Sequence, residues 1–280
     1  MTAVTGALRK LRSQFDPAAG HGLVSYALPV GDSDIPLNDL LGKRLTLDYL
    51  GLITCMHCGR KTGKSFNQGY CYPCFQKLAA CDSCIVSPEK CHYQAGTCRE
   101  PDWAQQNCLV PHVVYLANSS GLKVGITRGT QVPTRWIDQG AVQALPIFGV
   151  QTRQQSGFVE ALLREHVADK TNWRAMLKGQ VDELDMPQQR DRLLDHCAAG
   201  IAALQERFGL QAIQPLTGAE PVAIRYPVLQ HPVKVVSLDL EKAPQITGTL
   251  LGIKGQYLMF DAGVINIRKY GAYHVRVSVE

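Results

Sequence analysis

The sequence predicts an α+β protein in which a cysteine-rich, zinc-binding region precedes an α/β module, with small barrel-like β elements at both ends. Three observations support this fold class. Two close cysteine pairs follow the first segment, strand and helix signals alternate after the cysteines, and both end segments contain short apolar runs separated by turn residues. We therefore divide the chain into residues 1–54, 55–110, 111–210 and 211–280.

The composition is that of a globular protein and excludes disordered and membrane-spanning classes. Of the 280 residues, 45% are hydrophobic and 19% are charged, which allows one or two sizeable cores. No apolar run approaches the length needed to cross a bilayer, and the start of the chain lacks the pattern of a secretory signal. Nine of the ten cysteines lie between Cys55 and Cys108. Such clustering is typical of metal binding in a reducing compartment, so we expect a cytoplasmic location.

Two Cys-x-x-Cys pairs, separated by twelve residues, predict a first zinc site. Its ligands are Cys55, Cys58, Cys71 and Cys74. Tetrahedral zinc needs four thiolates at about 2.3 Å, and two short turns can each supply two of them. Disulfides or buried thiols without metal are the alternative, but paired motifs at this separation are among the most specific short signals.

The cysteines that follow predict a second metal site. Its candidate ligands are Cys81, Cys84, Cys91 and Cys98, and the residues that can replace one of them are His57, His92 and Cys108. Cys81 and Cys84 form a third close pair and are therefore the first candidates. An iron–sulfur cluster uses the same thiolates and stays open as an alternative. A closed site of four thiolates is usually structural, so one or two zinc ions would stabilise the fold while any chemistry lies elsewhere.

The net charge of +5 identifies no partner, but the charge is distributed unevenly. From Tyr49 to Ala80 there is no acidic residue, whereas Arg60, Lys61 and Lys64 are basic. A zinc module with this balance can neutralise phosphates. A solvated basic surface around a structural metal is the alternative.

Residues 111–210 contain a predicted hairpin followed by helices. Val113–Ala117 and Leu122–Thr127 are apolar runs joined by a turn that contains Asn and Gly, which favours a hairpin. The further predicted elements are a short helix after Pro133, a strand at Leu145–Val150, and helices over 156–169 and 187–208. The last segment, residues 211–280, has the short apolar runs of a small Greek-key or SH3-like barrel.

Part of this module, residues 111–175, resembles the GIY-YIG nuclease superfamily. The resemblance lies in Val113-Val-Tyr-Leu116, Lys123-Val-Gly-Ile-Thr-Arg128, Arg135 and Glu160. In that family two hairpin strands carry the first and second tripeptides, a following helix carries an arginine, and a later helix carries a metal-binding glutamate. Lys123 stands where the second tyrosine is usual, and Val113 replaces the first glycine.

The resemblance implies a phosphodiester-cleaving site formed by Tyr115, Lys123, Arg135 and Glu160. Glu160 would hold Mg²⁺ or Mn²⁺. Arg135 and Lys123 would stabilise negative charge in the transition state, and Tyr115 would orient or deprotonate the attacking water. The alternative is structural for all four: a strand aromatic, an edge charge, a helix arginine and a solvent-facing carboxylate.

Two further residues are candidates for nucleic-acid contact beside the basic residues of the zinc module. Arg128 ends the second motif, and Trp136 lies next to Arg135 in the string Arg-Trp-Ile-Asp-Gln-Gly. Trp136 can stack on a base or seal the hydrophobic core.

The chain as a whole also resembles an uncharacterised bacterial family of domains of unknown function. The segments that carry this resemblance are residues 92–103, 123–128, 135–141 and 253–258. It implies a shared fold and shared boundaries, and it brings no established activity.

Together these features predict a cytoplasmic, zinc-stabilised protein that binds DNA or RNA and cleaves phosphodiesters with a divalent metal, or binds without cleavage. A non-catalytic adaptor on structured RNA, the ribosome or a repair complex is the first alternative, and Lys123 in place of the second tyrosine favours it. A zinc-dependent protein–protein scaffold is the second. No membrane partner is expected.

Overall fold

A computed structural model of the chain describes residues 3–15, 22–167 and 171–280. Over these residues the protein is a mixed α+β structure with three sheets and seven α-helices, so the α+β part of the predicted fold class is confirmed. The chain divides into two compact units. The first consists of residues 1–76, 177–179 and 225–280, and the second of residues 77–176 and 180–224.

The elements are numbered in chain order. The strands are β1 (Ala3–Ala7), β2 (Arg12–Gln14), β3 (Ser25–Val30), β4 (Ser33–Pro36), β5 (Arg44–Ile53), β6 (His112–Asn118), β7 (Leu122–Arg128), β8 (Gln143–Val150), β9 (Ile213–Pro215), β10 (Val222–Ala223), β11 (Gln245–Lys254), β12 (Tyr257–Phe260), β13 (Gly263–Asn266) and β14 (Tyr273–Val279). The helices are α1 (Tyr72–Lys77), α2 (Pro101–Asn107), α3 (Thr134–Asp138), α4 (Arg153–Leu163), α5 (Trp173–Lys178), α6 (Met186–His196) and α7 (Ala198–Phe208). Within the described residues, no helix combines the length and the apolarity that crossing a bilayer requires.

The first unit is built around a six-stranded antiparallel sheet that joins an N-terminal strand to C-terminal ones. Its strand order is β1-β14-β5-β11-β12-β13, and β1 pairs with β14 so that Val4 lies opposite Val277. Leu45, Leu47 and Val275 are buried on this sheet, as the alternation of side chains on a half-buried sheet requires. Most of the two end segments, which the sequence predicted as separate β elements, therefore lie in one unit.

The second unit contains a five-stranded antiparallel sheet that includes the predicted hairpin, with β7 at one edge. β6 and β7 pair over their whole length, from His112 opposite Arg128 to Asn118 opposite Leu122. β8 pairs with the other side of β6, and β9 and β10 both pair with β8. The predicted hairpin and the predicted third strand are confirmed.

The two faces of the hairpin differ because side chains alternate along a strand. Val114, Leu116 and Val124 are buried in a hydrophobic core with residues of α4, α6 and α7. Tyr115 and Gly125, which lie opposite each other in the ladder, belong to the other face. Of the candidate catalytic residues, Tyr115 and Lys123 lie on that second face.

Helix α4 begins and ends earlier than the sequence predicted. A capping box fixes its first turn: the Thr152 hydroxyl accepts a hydrogen bond from the Gln155 N–H, and the Gln155 side chain accepts one from the Thr152 N–H. The helix ends at Leu163. Residues 168–169 of the predicted helix lie outside the described residues.

The single helix predicted over residues 187–208 is two helices. Helix α6 ends at His196 and α7 begins at Ala198, with Cys197 between them at φ −99° and ψ 6°. Leu193, Cys197 and Ile201 nevertheless lie in one hydrophobic core. Because the apolar spacing continues through the break, periodicity could not show it.

The region between the first four cysteines and β6 consists of short turns that pack on α4. Three 3₁₀ turns, at Ala79–Cys81, Ser83–Ile85 and Pro88–Lys90, precede α2. A Cβ added at Gly157 of α4 would lie 2.6 Å from the backbone nitrogen of Glu89. The helix and the backbone of the third turn therefore meet with no side chain between them.

Gly157→Ala should destabilise the protein, because the added methyl group would press on the backbone at Pro88 and Glu89. Overpacking of this kind costs about 1–3 kcal/mol, whereas replacing a helical glycine by alanine gains about 1 kcal/mol. Gly200→Ala in α7 is the matched control, since its nearest neighbour would be the flexible side chain of Leu162. Urea unfolding should give a lower midpoint for Gly157→Ala and an unchanged or higher one for Gly200→Ala. Equal midpoints would contradict the close packing.

Candidate functional site

The four cysteines of the first predicted zinc site come from two loops of the first unit. Cys55 follows β5, and the turn after it closes through a hydrogen bond from the Gly59 N–H to the Cys55 carbonyl (2.9 Å) and one from the Cys55 N–H to the Arg60 carbonyl (2.8 Å). Cys71 and Cys74 lie at the start of α1, whose first turn is closed by the bond from the Phe75 N–H to the Cys71 carbonyl (2.9 Å). A reverse turn and a helical first turn thus each present two thiols.

The sulfurs of Cys55, Cys58, Cys71 and Cys74 all lie within 4.8 Å of one another. The Sγ atoms of Cys58 and Cys71 are 3.7 Å apart. A tetrahedron with Zn–S bonds of about 2.3 Å places its sulfurs about 3.8 Å apart, and a disulfide would bring two of them to about 2.05 Å. The cysteines are free thiols, and the cluster can bind zinc.

The backbone around Cys55 favours a thiolate at this cluster. Burial alone would raise the pKa of Cys55, but N–H groups of Cys58, Cys71 and His57 hydrogen-bond to its sulfur and the pKa is lowered to about 6. Burial and the neighbouring thiols raise the pKa of Cys74 to about 12. Hydrogen bonds from backbone N–H groups to sulfur are the usual support of metal-bound thiolates, so Cys55 is prepared for metal binding. The basic residues Arg60, Lys61 and Lys64 are exposed next to it.

The second cysteine region brings together a different set of groups from the predicted one. Asp82, Cys84 and His92 have ligand atoms within 4.8 Å of one another. Cys81, Cys91 and Cys98, predicted with Cys84 as ligands, do not belong to a close group of this kind among the described residues.

Asp82 is the most heavily engaged member of this set. Its carboxylate forms an ion pair with Arg99 (2.9 Å) and lies 3.3 Å from Nε2 of His92. Burial would raise the pKa of Asp82, but Arg99 and the Ser83 N–H lower it. The pKa of Cys84 is raised to about 11, first by burial and then by Asp82 and the thiols of Cys91, Cys108 and Cys98.

Tyr115, the first residue of the predicted catalytic set, lies fully buried on β6. Its ring covers Gly125 on β7, where an added Cβ would be 2.7 Å from the phenol oxygen. The ring packs against Trp136 with centroids 5.9 Å apart. The hydroxyl donates a hydrogen bond to Oε1 of Gln139 at 3.2 Å. Glycine at position 125 is thus needed to make room for the phenol ring.

The charges of Arg135 and Glu160 both shift the pKa of Tyr115, so these three predicted residues lie close together in the structure. Burial is the largest effect and raises the pKa of Tyr115 to about 12, with Arg135 lowering it and Glu160 raising it. Arg135 and Glu160 are both half-buried. A phenol with this pKa stays protonated near neutral pH, which suits a hydrogen-bond donor and not a base.

Lys123 lies on the same face of the hairpin as Tyr115, two residues from Gly125 along β7, and is only 5% exposed. Arg128 donates from Nη1 to Oδ1 of Asn107 at 2.5 Å, a contact that ties β7 to α2. Trp136 is 2% exposed, so its ring packs in the core and is not accessible to a base.

Arg153 belongs to this neighbourhood and was missed in the sequence. Nη2 of Arg153 donates to the Ile85 carbonyl at 2.7 Å. Burial lowers the pKa of Arg153, with Cys108 and Glu160 raising it and Arg135 lowering it. Arg153 therefore lies near both the second cysteine region and the side chains of Arg135 and Glu160. No motif marks it, because it is an ordinary first residue of a helix after a capping box.

His112 is the first residue of β6. It lies near Arg153 and Arg128, and its side chain is only 1% exposed. Its Nδ1 lies 2.7 Å from the Val110 carbonyl and donates to it. Burial lowers the pKa of His112 to about 4; the bond to Val110 opposes this shift, and Arg153 and Arg128 add to it. The ring is therefore neutral at physiological pH.

His112→Asn should reduce the acid sensitivity of folding. Because the folded-state pKa is depressed, the neutral ring contributes stability that is present above about pH 6.5 and is lost as pH falls towards 4. The full effect is about 3 kcal/mol. Asn keeps a donor for Val110 but does not titrate, so urea midpoints of the variant should fall less than those of the wild type between these pH values. His166→Asn, at an exposed position, is the control; parallel pH profiles for all three proteins would contradict the assignment.

Cys58→Ala should remove one zinc equivalent from the purified protein and lower its melting temperature, because a three-thiolate site binds zinc more weakly. Cys58 is exposed, so the change leaves no cavity. Cys197→Ala, in the core of the second unit, is the control and should keep the zinc content of the wild type. Unchanged zinc in Cys58→Ala, measured by atomic emission, would show that this cluster is not a metal site.

Comparison with known proteins identifies the family and leaves the activity open. No curated protein and no solved structure matches the chain. One family model, described as "Protein of unknown function (DUF2797)", matches residues 42–275. The match includes the four-cysteine cluster, the second cysteine region and the Tyr115 neighbourhood. Because it covers most of the chain, the protein belongs to the DUF2797 family.

Proposed function

We propose that the protein is a zinc-stabilised nucleic-acid-binding protein whose second unit holds a backbone phosphate at Arg135. The observation that supports this most directly is the partial burial of Arg135 and its lack of a carboxylate partner in the part of the chain that the structure describes. The side chain is half-buried beside the Tyr115 hydroxyl, yet it forms no ion pair with a carboxylate of the described residues.

A half-buried guanidinium without a carboxylate partner is suited to an external anion. Its planar group of five N–H donors matches the oxygens of a phosphate in a two-pronged contact. The nearby Tyr115 keeps its proton, so it adds no negative charge that would compete with the anion. Arg153, the second arginine of the neighbourhood, adds positive charge to the same place.

Zinc bound by Cys55, Cys58, Cys71 and Cys74 is the structural part of the proposal. The cluster fixes two loops that carry few aliphatic side chains. Arg60, Lys61 and Lys64 are exposed on these loops, and they would contact phosphates without reading sequence.

Metal-dependent phosphodiester cleavage is the second candidate, and the joint action of Arg135 and Glu160 on Tyr115 favours it. The resemblance to GIY-YIG nucleases implies that Glu160 would hold Mg²⁺ or Mn²⁺ through its carboxylate. In the reaction, water would attack phosphorus, the bond to the leaving oxygen would break, and that oxygen would take up a proton. The burial of Tyr115 and Lys123 argues against direct contact of either with water, which is why binding is the primary proposal.

Arg135→Ala should weaken binding of labelled nucleic acid about tenfold at low salt, the effect of losing one charge-assisted phosphate contact. The slope of log affinity against log salt should fall by about 1. Arg135→Lys should recover part of the affinity, because it keeps the charge and loses the two-pronged geometry.

Arg192→Ala is the matched control, since it removes the same charge from an exposed position on α6, which packs against the opposite face of the hairpin. Fluorescence anisotropy with single-stranded, duplex and branched DNA and RNA provides the measurement. Equal loss in the Arg135 and Arg192 variants would show non-specific attraction, and no binding by the wild type would favour the protein–protein scaffold.

Glu160→Gln should abolish any cleavage supported by Mg²⁺ or Mn²⁺ while leaving binding intact, since the amide keeps the shape of the side chain and loses the charge that a hard cation needs. Glu165→Gln, at an exposed position after α4, is the control. Gel analysis of end-labelled substrates separates the two candidate functions: binding without cleavage by the wild type leaves a non-catalytic adaptor.

A further inference from the structure

We propose that a second structural zinc site lies in the second unit and that its ligands are Cys84, Cys91, Cys98 and Cys108. Among the candidates that the sequence offers, this set takes Cys108 in place of Cys81. The proposal does not depend on nucleic-acid binding.

The first turn of α4 brings three of these cysteines to one place. The Arg153 N–H donates to the Cys108 carbonyl at 2.7 Å. Its guanidinium donates to the carbonyl of Ile85, the residue after Cys84, at 2.7 Å. Nε2 of the adjacent Gln154 donates to the Cys91 carbonyl at 3.1 Å. Two consecutive residues thus anchor the backbone at or beside three of the four cysteines.

The fourth cysteine, Cys98, is held by both of its neighbours in the chain. The Thr97 hydroxyl lies 2.8 Å from Nδ1 of His92, and Arg99 pairs with Asp82 at 2.9 Å. Asp82 and His92 are in turn grouped with Cys84 within 4.8 Å. The residues on both sides of Cys98 therefore contact His92 and Asp82, which lie close to Cys84.

The hydrogen bonds of Arg153 and Gln154, together with the close group of Asp82, Cys84 and His92, place the four cysteines around the first turn of α4. Their sulfurs are more widely spaced than those of the first cluster, so binding would draw the four side chains inward around the ion. Cys81 lies in the preceding turn, Ala79–Cys81, where its N–H donates to the Leu78 carbonyl at 3.1 Å.

Asp82 and His92 serve this site better as supports than as ligands. Both ring nitrogens of His92 are engaged, Nδ1 with Thr97 and Nε2 with Asp82. The Asp82 carboxylate is paired with Arg99 and also receives a hydrogen bond from the Ser83 hydroxyl. Side chains that hold one another in this way are typical of the shell around metal ligands.

The surroundings also compensate the charge of such a site. Four thiolates around Zn²⁺ carry a net charge of −2, and two arginines lie beside Cys108: the Arg153 N–H donates to the Cys108 carbonyl, and Nη1 of Arg128 donates to Asn107, the residue before Cys108. Nε of Arg153 is buried and has no hydrogen-bond partner among the described residues. A buried N–H beside metal-bound sulfur would gain such a partner.

Zinc content of the full-length purified protein tests the proposal, with cysteine variants measured by atomic emission beside the wild type. The wild type should hold two equivalents. Cys108→Ala and Cys98→Ala should each hold one, and Cys81→Ala should keep two. Cys98 is only half-buried, so its variant stays informative if loss of Cys108 prevents folding.

Three results would overturn the proposed ligand set. The first is a wild type with one zinc equivalent, and the second is iron in place of the second zinc. The third is loss of an equivalent in Cys81→Ala with two retained in Cys98→Ala. The Cys58→Ala/Cys98→Ala double variant should hold no zinc, which distinguishes two independent sites from one site that both changes disturb. Co²⁺ substitution adds a spectroscopic check: the visible absorption of tetrahedral thiolate-bound Co²⁺ should halve in Cys98→Ala and stay unchanged in Cys81→Ala.

Discussion

The close approach of α4 to the turn at Pro88–Lys90 is the constraint on which the second unit depends. A backbone-to-backbone contact at Gly157 and a capping box at Thr152 fix both the position and the rotation of the helix. One face of α4 then packs into the hydrophobic core through Val159 and Leu163. Because successive residues of a helix point about 100° apart, the same rotation decides where Arg153 and Glu160 lie.

The burial of Tyr115 bears on whether Tyr115, Arg135 and Glu160 would form a catalytic site or a binding site. A phenol at the surface could activate water, but this one is covered by Trp136, bonded to Gln139 and shielded from solvent. In this structure it is a buried hydrogen-bond donor close to Arg135 and Glu160. In the proposed phosphate contact, such a neighbour would limit the freedom of the Arg135 side chain and so lower the entropic cost of binding an anion.

Metal binding at the cysteine clusters would stabilise this fold, because the cysteine regions contain little hydrophobic core of their own. Loops of this kind gain stability from ligand bonds instead of buried apolar area. The first cluster closes two loops at the end of β5, the central strand to which both β14 and β11 pair. In the second unit the cysteine region packs on α4, so its order is coupled to the position of Arg153 and Glu160.

Residues close together in the chain produced the sequence inferences that the structure supports. The two Cys-x-x-Cys pairs come together as one cluster, and the β6–β7 hairpin forms with Tyr115 opposite Gly125. Both features follow from short spacings and turn residues, which determine the local backbone conformation over only a few residues. The proximity of Arg135 and Glu160 to Tyr115 followed from the family resemblance, since no local rule relates positions so far apart.

The sequence by itself therefore determined the local elements: the cysteine turns, the hairpin, the third strand and the α+β class. Tertiary structure alone decided the pairing of β1 with β14, the break at Cys197, the burial of Trp136 and the place of Arg153. Each of these features depends on which distant segment packs against a residue. The alternation of a strand or the spacing of a helix shows that a residue is covered but does not show which segment covers it. The contact that sets α4 against the cysteine turns is of this second kind, because a glycine in a helical pattern does not show which backbone will lie against it.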